Sequence, residues 1–216
     1  MEIRKVQRED ARAAALLHIE GQPGTFLTTL GEGFLTAFYA GLSDSKWGYG
    51  YVAMEGDDAL GVAIGTNDTH ALFRELMTRE GAHLALPTLC RLIRHPSLLA
   101  KVLQTFFYPD KLDIEPGEAE LLFIGVRDQS RRRRIGTQLL DALSEESRRR
   151  GAIAFKVTVD AANSAANAFY VNYGFQIVGG FELYGRKMNL YYLPLAQAQM
   201  KPGGSSAPLS LTESEV

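Results

Sequence analysis

Beyond Pro116-Gly117 the chain alternates strand-like and helix-like segments, and this alternation constrains the fold more than any other feature. Residues 119–126 read as a strand and 135–150 as a helix. Residues 153–159 read as a strand, 164–173 as a helix, and 175–178 and 183–193 as strands. A strand-helix-strand-helix-strand order predicts an α/β sheet with at least one parallel strand pair. The chain has 216 residues, enough for one such domain with an attached element. We read one domain over residues 1–195 and a Gly, Ser and Pro-rich tail over 196–216 with little to bury.

The N-terminal half supplies the rest of the sheet. Residues 3–6 read as a first strand. A helix opens at Arg8-Glu9-Asp10, runs through Leu16, Leu17 and Ile19, and stops at Gly21. Residues 22–24 read as a loop. A second helix over 32–42 carries Phe34, Leu35, Phe38, Tyr39 and Leu42 at helical spacing. The runs 49–54 and 59–65, split by Glu55-Gly56-Asp57-Asp58, read as a hairpin. Residues 68–112 differ: they read as a helical insertion punctuated by Pro87 and Pro96. No acidic residue lies between Gly81 and Pro109, whereas Arg91, Arg94 and Lys101 do. This insertion packs on the core or on a second subunit, making a homodimer, or it forms a lid or groove for anionic or lipid-linked molecules. Peripheral membrane contact would then run through 81–109.

Charge and cysteine content exclude several classes. Lys and Arg total 23 against 25 Asp and Glu, a net charge of -2, so no nucleic-acid partner is expected. One cysteine and four histidines provide neither a disulfide framework nor a structural zinc site, and we expect no metal. No signal-like start and no run of about 20 apolar residues is present, so the expected location is cytoplasmic.

The run 126–137 is Val-Arg-Asp-Gln-Ser-Arg-Arg-Arg-Arg-Ile-Gly-Thr. A strand ends, a basic loop follows and a helix begins. Unpaired amides at a helix start, a glycine and flanking guanidiniums make a cradle for a phosphate or pyrophosphate. Neither the P-loop nor the Rossmann glycine pattern is present. On its own, the run is equally a solvated arginine stretch before an amphipathic helix.

A second stretch decides between them. It carries Asn163, Asn167, Phe169, Tyr170 and Tyr173-Gly174-Phe175 on a short, alanine-rich helix after a strand. Together the two stretches resemble the GCN5-related N-acetyltransferase (GNAT) superfamily. There, a strand ending in a small residue and Val leads into an Arg/Gln-x-x-Gly-x-Gly/Ala pyrophosphate loop. An Asn and, seven positions later, a Tyr follow on the next helix. Arg131, Arg134 and Gly136 hold the loop positions, and Asn163 and Tyr170 the second spacing. The motif resemblance spans residues 119–175, and element order extends it over 3–193 outside the insertion. It implies a mixed, mostly antiparallel twisted sheet with a central parallel strand pair and flanking helices. One departure stands out: Arg134 occupies the usual first glycine of the loop. If that position has positive φ, a non-Gly residue there stores about 1–3 kcal/mol of strain; otherwise it adds a phosphate donor.

The resemblance implies acetyl-CoA as co-substrate and a small-molecule or peptide amine as acceptor, joined by direct attack. The backbone of Phe123, Ile124, Gly125 and Val126 would pair with the pantetheine arm like an added strand. Arg131, Arg132, Arg133, Arg134, Ile135, Gly136 and Thr137 would hold the pyrophosphate, with Asn163, Asn167 and Tyr170 completing the cofactor contacts. Tyr170 would protonate the departing thiolate. Glu120 matches the base of histone-type members, on a strand face shared with Leu122 and Ile124 unless a bulge intervenes. Thr158 stands where ribosomal-protein acetyltransferases carry a base glutamate. Asp160, His18 or an ordered water are weaker candidates for the base, His18 more naturally a packing residue. The competing functions are a non-catalytic acyl-CoA-binding or interaction module of the same fold, and a binder of anionic surfaces.

Overall fold

The computed structural model describes residues 1–94, 96, 117–183 and 185–195. The tail and most of the second half of the insertion, including Leu98, Lys101 and Phe107, lie outside these. Among these residues seven strands form one sheet: β1 (Glu2–Lys5), β2 (Gly48–Glu55), β3 (Asp58–Thr66), β4 (Glu118–Val126), β5 (Ala154–Asp160), β6 (Gln176–Leu183) and β7 (Arg186–Pro194). Their order is β1-β2-β3-β4-β5-β7-β6. Only β4 and β5 run parallel; every other neighbouring pair is antiparallel. The single parallel pair meets the expectation from the alternation, and the mixed, mostly antiparallel sheet is the one the family resemblance implied.

Helices cover both faces. On one lie α1 (Ala11–Gly21), α2 (Phe26–Leu30), α3 (Glu32–Ser43), α4 (Thr69–Arg79) and α5 (Gly81–Arg94). Leu17, Leu35, Phe38, Tyr39, Leu72 and Phe123 fill that core. The other face carries α6 (Ile135–Arg149) and α7 (Ser164–Tyr173), whose Ile135, Leu139, Leu143 and Tyr170 pack on Leu121, Phe155 and Tyr191. The insertion is helical where described and anchors Leu84 in the first core, while Leu86, Leu89 and Ile93 of α5 remain exposed. Pro87 lies inside α5 and does not end it. No helix among the described residues is long and apolar enough to cross a membrane.

Three local outcomes differ from the sequence reading. Residues 26–30 form a short helix, although Thr28 and Thr29 weaken helix propensity. Residues 179–182, between the two predicted strands, belong to β6, which pairs with β7 as far as Leu183↔Arg186. Gly180 is a strand residue there because a Cβ would sit 2.8 Å from the Met188 carbonyl oxygen on β7. The third difference matters for chemistry. Ile64 pairs with Phe123 but Gly65 with Leu121, so Leu122 is an extra residue, a β-bulge, in β4. The bulge reverses the alternation of faces. Ala119 and Leu121 belong to the α6 core, whereas Phe123 belongs to the α1 core. Glu120 therefore shares a face with Phe123, and Ile124 lies on the opposite one, packed against the α6 core.

Candidate active site

The parallel pairing of β4 and β5 stops early. It covers only Glu118↔Ala154, Ala119↔Phe155 and Glu120↔Lys156. Beyond it β4 continues to Val126 against β3, and β5 continues to Asp160 against β7. The two strands thus diverge towards their carboxyl ends. A crevice at that position is where open α/β sheets take ligands. Along it, Phe123, Ile124, Gly125 and Val126 present a strand edge without a β5 partner in the ladder. Gly125 is required there: a Cβ would lie 2.6 Å from the Phe123 ring.

The basic loop sits at the mouth of this crevice. After β4, a short 3-10 turn (Asp128–Ser130) leads to Arg131 and then into α6. Arg132 and Arg134 both have positive φ, 64° and 60°. The left-handed Arg134 immediately before helical Ile135 turns successive amides towards one point, a nest suited to an anion. No side chain caps this helix. Among the described residues, no backbone carbonyl accepts from the amides of Arg132 to Thr137. The loop is braced from outside: Glu20 accepts from the Asp128 amide at 3.1 Å, Arg131 pairs with Asp128 at 2.6 Å and Arg133 with Glu55 at 2.5 Å. Both arginine pairs are exposed. Arg132 and Arg134 are exposed and form no ion pair among the described residues. The strain conditional on positive φ at Arg134 thus applies to this chain.

Gly136 ties the loop to α7. The space beside its Cα is bounded by Phe169 at 3.4 Å and Val126 at 3.8 Å. Tyr170 follows Phe169, 5% exposed, among the rings of Phe169, Phe175 and Tyr191. Burial pushes its phenol above the ordinary value. Among the described residues its hydroxyl has no hydrogen-bond partner. Asn163 caps α7, accepting from the Ala166 amide at 3.1 Å. Asn167 is fully engaged. It donates to the Asp160 and Asn163 carbonyls and accepts from Asn189 (2.8 Å) and the Tyr191 hydroxyl (2.7 Å). With both donors and both lone pairs used, this amide has nothing left for a ligand. A sequence shows residue types and not such saturation.

On the opposite face of β4, Glu120 is 2% exposed and accepts from Thr69 Oγ1 at 2.5 Å. Glu118 pairs with Lys156 at 2.6 Å, both largely buried. His18 stacks on Phe123, centroids 4.2 Å apart, and its Nδ1 lies 3.0 Å from the Tyr39 hydroxyl. Burial lowers its pKa from 6.5 to about 4. The folded chain keeps His18 neutral at pH 5, whereas the unfolded chain protonates it. Its contribution is therefore complete above pH 6.5 and is lost as pH falls from there towards 4. We expect about 2 kcal/mol of stability to vanish between pH 7 and pH 5 through this residue. Denaturant unfolding at both pH values should show that loss in the native chain and its disappearance in His18→Phe. Equal losses in both proteins would exclude His18 as the group responsible. Among the described residues no group of three His, Cys, Asp or Glu side chains gathers as a metal site.

The sheet is split between two parallel strands, with an amide-lined turn at the mouth of the split. The sequence matches the model of the acetyltransferase (GNAT) family over residues 25–175, and the chain belongs to that family. A GNAT-family protein of Desulfovibrio desulfuricans is 15% identical with a TM-score of 0.61, covering 90% of this chain and 98% of that one. The ribosomal-protein-S18-alanine N-acetyltransferase of Escherichia coli is 15% identical, TM-score 0.57, covering 96% and 99%. The ribosomal-protein-alanine N-acetyltransferase of Brucella melitensis is 16% identical, TM-score 0.59, covering 90% and 99%. At these identities the likeness establishes the fold. No curated protein matches the sequence. The chemistry of the family is acetyl transfer.

Proposed function

We propose that the chain is an N-acetyltransferase that moves the acetyl group of acetyl-CoA to a primary amine by direct attack. The observation that supports this reading is the strand edge of Phe123 to Val126, without a β5 partner among the described residues, leading into the amides of Arg132 to Thr137. Gly136 of that turn packs against Phe169, the neighbour of Tyr170. In this reading the pantetheine arm lies along the β4 edge, and the nest and the Arg132 and Arg134 guanidiniums hold the pyrophosphate. A β4 amide polarises the thioester carbonyl. Glu120 takes a proton from the ammonium of the acceptor. The amine nitrogen attacks the carbonyl carbon, the C–S bond breaks, the thiolate takes the Tyr170 proton, and the surplus proton on the acylated nitrogen returns to the Tyr170 oxygen. Asn163 touches the cofactor through its free amide NH2, while Asn167 serves the framework.

One domain over residues 1–195 acting in the cytoplasm fits this reading, as does an acceptor that is a small molecule or a peptide. The second reading, an acyl-CoA-binding module without efficient chemistry, draws on Arg134, whose left-handed backbone costs about 1–3 kcal/mol. Calorimetry with acetyl-CoA, combined with thiol release in the presence of glucosamine, spermidine and an alanine-initiated peptide, separates them. Binding with thiol release supports the transferase. Binding with no release above the water background supports the module, and no binding excludes both.

A further inference from the structure

The insertion reaches the proposed base through a path fixed by the sheet. β3 ends at Thr66, directly opposite Glu120 in the antiparallel ladder. Thr66 Oγ1 donates to the Trp47 carbonyl at 3.0 Å and accepts from the Asp68 amide at 3.1 Å, holding the turn. Asp68 caps α4 by accepting from the Ala71 amide at 2.8 Å. Thr69, the first residue of α4, is buried, and its Oγ1 donates to Glu120 Oε2 at 2.5 Å. A β-branched side chain has few rotamers, so the hydroxyl is held in place.

We propose that Thr69, delivered by the insertion, is the positioning residue that aims the Glu120 carboxylate and keeps it charged. The proposal rests on the reading of Glu120 as the base. A carboxylate 2% exposed loses most of its hydration, and a hydrogen bond to its charged form offsets that loss. The other charged and titratable groups around it come from each neighbouring element. Among the described residues they are Glu118 on β4, Lys156 opposite on β5 and paired with Glu118, the cap residue Asp68 and the exposed His70 at the start of α4, and His18 on α1. Thr69 is a neutral donor to Glu120, and so it can tune Glu120 without adding charge.

The test is a carbon-13 titration of the glutamate carboxyls, with Glu120 assigned by the signal lost in Glu120→Gln. In Thr69→Val the Glu120 midpoint should rise by about one pH unit. The acid limb of thiol release, measured with the three amines named above, should rise with it, about a tenfold loss of rate below the limb. Thr69→Ser should restore both, and acetyl-CoA affinity should stay within about twofold throughout. If Thr69→Val does not fold, Thr69→Ala is measured in the same way. An unmoved midpoint or limb, with Glu120→Gln still flattening the profile, overturns the role of Thr69 alone. A profile that Glu120→Gln leaves unchanged overturns the base and the role of Thr69 together.

Discussion

In Tyr170→Phe, turnover should fall by about 100-fold while acetyl-CoA affinity and thermal stability hold their native values. The hydroxyl has no partner among the described residues, so its removal leaves no buried donor or acceptor unsatisfied, and the stability change should stay within about 0.5 kcal/mol. The ring keeps its edge contacts with Phe169 and Phe175, each with centroids 5.3 Å apart. What the variant loses is a proton donor. Burial raises the Tyr170 pKa, so the phenol is neutral across the physiological range. It can then give its proton to a thiolate that would otherwise leave as an anion. Calorimetry, thermal unfolding and steady-state rates check the three parts separately. A loss of affinity equal to the loss of turnover would make Tyr170 a packing residue.

The second large effect belongs to Glu120. Glu120→Gln should lower turnover at neutral pH by about 100-fold to 1,000-fold and flatten the acid side of the pH–rate profile. The amide keeps the size of the side chain and can still accept from Thr69, so packing around β4 is preserved. In the proposed mechanism, what disappears is the group that accepts a proton from the incoming ammonium. At high pH, where the amine is already neutral, native and variant rates should converge. Rates measured from pH 6 to pH 10 decide this. A variant profile parallel to the native one at every pH would take Glu120 out of the proton path and leave an ordered water as the base.

Much of this architecture could be read from the chain. Residues 135–149 and 164–173 announce their helices through spacing and flanking signals, and the β4-α6-β5 crossover forces the parallel pair. The arginine run and the Asn163 and Tyr170 spacing mark the site proposed above. What stays hidden depends on the third dimension. A single extra residue in Leu121-Leu122-Phe123 has no signature in a uniformly apolar run, yet it decides that Glu120 faces Phe123 and not Ile124. Thr69 and Glu120 lie 51 positions apart and meet only because Thr66 pairs with Glu120 across the sheet. Asn167 looks like a ligand contact until Asn189 and Tyr191, from another strand, are seen to use its oxygen. Gly179-Gly180 falls between the predicted strands, yet the close approach of β7 explains Gly180 within β6.

The arginine loop shows how a departure from a motif can be absorbed. A left-handed backbone normally selects glycine, and Arg134 adopts it at φ 60°. Arg133, anchored to Glu55, and Arg131, anchored to Asp128, hold the loop on either side. The exposed Arg134 guanidinium then stands beside the amides of the nest. Strain and added charge oppose one another at this position, and in the proposed function their balance would set how tightly a diphosphate is held.

The most direct test of the account is an amide NMR titration of the native chain with CoA. The largest shifts should fall on Arg132 to Thr137 and on Phe123 to Val126, with the Tyr170 ring signals moving at the same ligand concentration. Shifts confined to other parts of the sheet, or saturation that leaves Arg132 to Thr137 unmoved, would contradict it.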